Sequence, residues 1–199
     1  VLDQARACRL QALLYTLHGD YQAAIDSALD GLDLLGISPV RGVDWQEVEA
    51  SHAHVQALIE QKDRHCLESL PRTDSEEVTV AISLLATLSS SFFVKDDICF
   101  LHLAKLMEMS LLHGVAPGST YGMAWYGVMI AERFGAYHDG HACCLAALKL
   151  IERHGFDADL TSALLALDQV SAWTSPMEFA RRTLSLIHIS EPTRQEAIS

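Results

Sequence analysis

The feature that most narrows what this chain can fold into is the way its apolar residues recur. Strand-type alternation is almost absent, and apolar positions return at helical spacing in segments of about fifteen residues closed by Gly, Pro or Asp. The pattern predicts helices over Leu2–His18, Tyr21–Leu35, Trp45–Gln61, Glu76–Phe93, Asp96–His113, Thr120–Phe134, Asp139–His154 and Asp159–Ala172, with a last one starting near Pro176. Asp44 with Glu47, and Asp74 with Glu77, have capping-box spacing, in which a side-chain oxygen takes an orphan N–H and the Glu reaches back. Gly36, Gly114, Gly135 and Gly155 each follow a helix-length pattern, where a left-handed residue closes the last turn without a Cβ penalty. The longest apolar run, Val78 to Val94, is interrupted by Thr79, Ser83, Thr87 and Ser89-Ser90-Ser91. It is shorter than the ~20 residues of a bilayer span, so it reads as a buried helix.

Short loops between similar helices imply antiparallel hairpins. In the first, Ala12, Tyr15, Gly19, Tyr21, Ala24 and Ala28 have a small-and-aromatic spacing that resembles a tetratricopeptide unit. Small residues let two helices approach, and the aromatics are expected to fill the gap toward the neighbouring hairpin. A second copy lies on Gly135, Tyr137, Gly140, Cys144 and Ala147, with Gly127 in the preceding helix, so both read Gly-x-Tyr-x-x-small between helices. Such hairpins leave an apolar face open unless another stacks on them. The expected fold is therefore all-α, with antiparallel helical hairpins stacked as a tetratricopeptide-like α-solenoid; the competing reading is a generic helical bundle. Gly36–Val43 and Leu70–Asp74 read as elbows between hairpins within one domain.

The segment Leu184–Ser199 departs from everything before it. Read back into codons, Leu184-Ser-Leu-Ile-His-Ile-Ser-Glu-Pro-Thr-Arg194 resembles a transposon-type sequencing adapter, and a barcode would fill Gln195 to Ala197 before adapter bases resume at Ile198-Ser199. We therefore expect residues 184–199 to be non-native read-through, to be set aside from fold reasoning. Residues 1–183 are then expected to be a helical-repeat segment of a larger protein.

The formal net charge is −12, of which Glu191, Glu196 and Arg194 in the tail account for one unit. A phosphate backbone is bound through clustered Lys and Arg, so nucleic acid is not an expected partner, and an anionic membrane surface is disfavoured on the same ground. Five cysteines, an odd set with no visible signal peptide, fit a reduced, cytoplasmic protein.

Phosphate-loop, dinucleotide-fingerprint, protein-kinase, Gly-x-Ser-x-Gly and His-Glu-x-x-His motifs are all missing from these residues, so we expect no catalytic residue and no cofactor in them. The best local constellation is His138, His141, Cys143 and Cys144. His138 and His141 lie one helical turn apart with Cys144 at the next, so three ligands could meet a zinc ion, as in a metal-dependent helical protein. Against this, a fourth ligand is wanting, and Cys144 falls where the repeat calls for a small buried residue. His52 and His54 are two apart, on different helix faces, and read as solvated side chains. Asp96-Asp97 and Glu76-Glu77 read as helix-start charges complementing the dipole. Trp125 and Tyr126, with Met123 and Met129, suit either a ligand pocket or core packing.

At Phe93-Val-Lys-Asp-Asp-Ile-Cys-Phe-Leu-His-Leu-Ala-Lys-Leu-Met-Glu-Met-Ser-Leu-Leu-His-Gly114 the chain resembles the helical middle region of large bacterial signalling ATPases. The resemblance continues through Gly118-Ser-Thr-Tyr-Gly-Met-Ala-Trp-Tyr-Gly127, Arg133-Phe-Gly-Ala-Tyr137 and Ala172-Trp-Thr-Ser-Pro176, and includes the Asp44-Trp45 helix after Leu34-Leu-Gly-Ile37. It implies a parent in which a serine/threonine-kinase-like domain precedes a P-loop ATPase, then tetratricopeptide-like repeats, then a GAF sensor and a histidine kinase or related output domain. This chain would supply only the repeats, as a non-catalytic scaffold whose partners are proteins or adjacent domains of the same chain. An alternative parent is a STAND-type ATPase with ligand-sensing repeats and a helix-turn-helix output. The His- and Cys-rich Cys143-Cys144 helix is not a feature of the resemblance.

Overall fold

The computed structural model describes residues 1–38, 45–62, 64–91 and 96–174. Within them the chain forms eight α-helices: α1 (Leu2–His18), α2 (Tyr21–Leu34), α3 (Trp45–Lys62), α4 (Glu76–Ser91), α5 (Asp96–His113), α6 (Ser119–Phe134), α7 (Tyr137–His154) and α8 (Leu160–Thr174). Short 3-10 turns occupy Arg64–Ser69 and Asp157–Asp159, and the described residues contain no β-strand. The observed bounds of α1 and α5 are those the periodicity predicts, the other helices differ from it by at most two residues at their described ends, and the end predicted for α4 at Phe93 lies outside the described residues. The helix expected near Pro176, the tail at 184–199, and Asp44 of the first capping box lie outside the described residues.

Local chemistry explains the boundaries. Gly19 and Gly135 take positive φ angles of 77° and 65°, a region that side chains with a Cβ resist, and so end α1 and α6 and turn the chain into the next helix. The Asp20 carboxylate accepts from the Ala23 N–H at 3.2 Å and caps α2. At the start of α4 the cap is Ser75, whose Oγ accepts from the Val78 N–H at 3.3 Å, and not the expected Asp74. The register moves by one residue, so Glu77 does not occupy the reach-back position. Glu76 instead pairs with Arg6 of α1 at 3.0 Å.

The packing runs in a regular order. α1 pairs with α2, and α4 lies against both; α4 pairs with α5, and α6 lies against both; α6 pairs with α7, and α8 lies against both. α3 stands outside this order, packing on α5 and on the Arg64–Ser69 turn, which reaches α7. One core runs through the stack, with Ala12, Ala28 and Leu32 at one end, Ile82, Leu85, Phe100, Leu103 and Met107 in the middle, and Tyr126, Ala147, Leu150 and Ala166 at the other. α4, which holds most of the longest apolar run, buries Ile82, Leu84, Leu85 and Leu88 in this core. No described helix is long and apolar enough to cross a membrane.

α6 and α7 approach each other backbone to backbone. A Cβ on Gly127 would sit 2.5 Å from the Gly140 carbonyl oxygen, and a Cβ on Gly140 would collide with the Gly127 carbonyl oxygen. Cys144, in the next turn, is fully buried and its thiol donates to the Ala124 carbonyl at 3.4 Å.

Leu70–Asp74, expected as an elbow, is a clasp. Val115 N–H donates to the Pro71 carbonyl at 2.8 Å and Thr73 N–H to the Val115 carbonyl at 2.9 Å, an isolated parallel bridge between Arg72 and Val115. The end of α7 closes over it: His154 Nε2 lies 3.0 Å from the Leu70 carbonyl oxygen, and the Arg72 guanidinium sits 5.6 Å from the Phe156 ring centroid. Pro71 has no N–H of its own to satisfy, which suits a short extended stretch beside a loop.

Candidate functional site

α6 is held at its start by a residue far along the chain. Asp159 Oδ2 accepts from the Gly118 N–H (3.0 Å), the Thr120 hydroxyl (2.6 Å) and the Tyr121 N–H (3.4 Å). A carboxylate at a helix N-terminus satisfies orphan donors and complements the dipole. This contact sets α8 against α6, and a second one, Trp125 Nε1–H donating to Ser162 Oγ at 2.8 Å, fixes the indole between them.

Between α5, α6 and α8 these contacts leave a cavity of about 240 Å³. Tyr121, Trp125, Val128, Met129 and Glu132 line it from α6, Cys99 and Leu103 from α5, and Gln169 from α8. The α6 residues follow i, i+4, i+7, i+8 and i+11 spacing, one stripe of the helix. Tyr121 and Trp125 face each other with ring centroids 6.4 Å apart. Burial, then Cys99 and Asp159, push the Tyr121 phenol well above its ordinary pKa, so it stays protonated. The Cys99 thiol donates to the Ser89 carbonyl at 3.6 Å.

The structure therefore divides the four residues singled out around Trp125. Trp125 and Met129 line the cavity, whereas Met123 and Tyr126 are fully buried in the core on another face of α6. Their spacing carries the distinction, since 125 and 129 are one turn apart on one side, and 123 and 126 on the other. Tyr121, Glu132 and Gln169 were missed; the first two extend the same stripe, and Gln169 joins it through tertiary contact alone.

The zinc constellation is not assembled. Cys143 and Cys144 are buried against α6, while His138 is exposed and His141 half-buried. Burial, with Asp139 beside it, pushes the Cys143 thiol up to about 12, and burial raises Cys144 further still, so both are protonated thiols packed in the seam. Burial, then His138, lowers the pKa of His141. Among the described residues no group of three or more His, Cys, Asp or Glu could hold a metal ion.

His52 is a correction: it is packed, not solvated. Its ring stacks on Phe134 with centroids 4.1 Å apart, its Nδ1 lies 3.0 Å from the Tyr126 hydroxyl, and Phe100 meets it edge-on. With Trp45 stacked on the same Phe134, this cluster fastens α3 to α5 and α6. Burial lowers the His52 pKa against the opposing pull of Asp139. His54 is exposed, with Nε2 3.8 Å from Glu108 Oε1.

One surface is unlike the rest. Leu10, Leu13, Leu14 and Leu17 of α1, joined by Tyr15 and Tyr21, are all exposed, Leu17 to 82%. The opposite side of α1 buries Ala5 and Ala12. The C-terminal half of α1 thus carries a row of leucines on a side turned away from the core. Tyr15 and Tyr21, expected to fill a gap toward a neighbouring hairpin, are left 41% and 54% exposed. No protein-family model, no curated protein and no solved structure matches this chain.

Proposed function

We propose that the chain is a non-catalytic helical-repeat scaffold, the tetratricopeptide-like α-solenoid of a bacterial multidomain signalling ATPase and sensor histidine kinase. The observation that carries the reading is the packing order, in which α4, α6 and α8 each lie against both helices of the hairpin before. Such an order supports a solenoid, whose repeats touch their nearest neighbours; in this reading α1, α4, α6 and α8 are leading helices, α2, α5 and α7 their partners, and α3 an insertion. Both Gly-x-Tyr-x-x-small segments fall at the turn of such a hairpin. The exposed ridge of α1 then has a use: it receives an adjacent repeat, an adjacent domain or a partner protein.

Two measurements test this. Sedimentation of the purified chain should reveal concentration-dependent self-association through the ridge, relieved by Leu14→Lys with Leu17→Lys at no loss of thermal stability. A sharply monomeric, cooperatively melting wild type would count against the solenoid. For the parent, the uninterrupted gene should carry P-loop ATPase motifs upstream and GAF and histidine-kinase motifs downstream. A terminal helix-turn-helix would move it to transcriptional control.

A further inference from the structure

We propose that the cavity between α5, α6 and α8 is a binding site for a small aryl-alkyl amine, a cation with one aromatic ring. The inference goes beyond the scaffold reading and does not rest on it.

Size comes first. A dry apolar cavity of about 150 Å³ takes a benzene molecule. At about 240 Å³ this one takes a ring together with a chain of about three heavy atoms. Its inner wall is apolar, with Leu103 and Val128 buried and Met129 partly so, and suits the ring.

Charge and geometry select the other end of the ligand. Two aromatic side chains, Tyr121 and Trp125, border the space, and π faces attract a cation. The polar groups from the helix ends are the Glu132 carboxylate on α6 and the Gln169 amide on α8, both on exposed residues, where an ammonium group would stay partly hydrated. None of the described lining residues is Lys, Arg or His, so a carboxylate or phosphate would find no counter-charge among them. The protein's net charge of −12 adds a field of the same sense. The indole is already fixed by Ser162, and the start of α6 by Asp159, so little ordering remains for the ligand to impose.

The test uses the full chain labelled with ¹⁵N and three probes of equal shape: phenethylamine, 2-phenylethanol and phenylacetate. The three indole N–H signals come from Trp45, Trp125 and Trp173, and the one absent in Trp125→Phe is followed. Phenethylamine should shift it saturably, with 2-phenylethanol about tenfold weaker and phenylacetate weaker still. Glu132→Gln, at an exposed position, should weaken the amine about fivefold and leave the alcohol unchanged, and Gln169→Glu should tighten the amine two- to threefold, on the order of one surface ion pair. The proposal is overturned if amine and alcohol bind alike, if the Trp125 signal never saturates, or if Glu132→Gln leaves the amine's affinity unchanged.

Discussion

The α1–α2 and α6–α7 hairpins are written with the same short pattern and end in different surroundings. Inside each, the seam is alike: Ala12, Ala24 and Ala28 are buried in the first, and Gly127, Gly140 and Cys144 in the second. Outside, they part. α6–α7 is enclosed by α5 on one side and α8 on the other, whereas α1–α2 has α4 on one side and a bare row of leucines on the other. The paired tyrosines record the difference, with Tyr137 38% exposed and set 5.5 Å from Trp173, and Tyr21 54% exposed. The lesson is that small residues decide how two helices of a hairpin meet, while neighbours decide what becomes of its aromatic residues.

Adding a Cβ at the tightest seam should break the comparison most severely. Gly140→Ala drives a Cβ into the Gly127 carbonyl oxygen, and because both partners are backbone the helices must separate. We expect a loss of about 4 kcal/mol in urea unfolding, at the upper end for overpacking and lost contacts. The matching position in the first hairpin, Ala24, already carries a Cβ, so Ala24→Gly should cost only about 1 kcal/mol, the helix propensity difference. Equal costs would sink the idea that the second seam is the tighter.

Acid should separate the enclosed helices from the open hairpin. His102 of α5 is buried, and desolvation lowers its pKa to about 4 from an ordinary value near 6.5. Between those values the unfolded chain binds the proton and the folded chain does not. Its contribution to stability is therefore whole above about pH 6.5, is lost as pH falls toward 4, and changes little below. The loss should reach ~3 kcal/mol. Burial of His52 and His141 acts in the same direction. His102→Leu should flatten the difference between urea midpoints at pH 7 and pH 4.5; an unaltered difference would mean that other groups carry the acid response.

The helix starts offer a milder contrast. Asp159 accepts three hydrogen bonds at the head of α6, whereas Asp20 accepts one at the head of α2. Asp159→Ala should cost about 2 kcal/mol and Asp20→Ala about 0.5–1 kcal/mol. If the two variants melt together, the long-range cap adds nothing beyond an ordinary one.

What could be read from the residues alone follows the same division between local and distant causes. Helix ends were legible because each is decided within a turn, by a glycine that tolerates positive φ, as at 36, 114, 135 and 155. The cap of α4 was misplaced by one residue because Ser75 and Asp74 offer equivalent oxygens, and the register is chosen by the extended stretch from Pro71 to Thr73 that precedes it. The place of α3 was not legible at all. It depends on His52 meeting Tyr126 and Phe134 from another part of the chain, and an imidazole two residues from a second one carries no mark of that. The cavity lies between these cases: its α6 wall is a stripe visible in spacing, and its α5 and α8 walls are supplied by packing.

The clasp between Pro71–Thr73 and Val115 has a mechanical consequence. It joins the chain just before α4 to the chain just after α5, and so closes this helix pair into a loop by two hydrogen bonds, beside the pair's packing on α1, α2, α3 and α6. Along the covalent chain, tension drawn from residue 72 to residue 115 would meet the bridge first, so the α4–α5 segment would add no length to a stretched molecule until the bridge had parted.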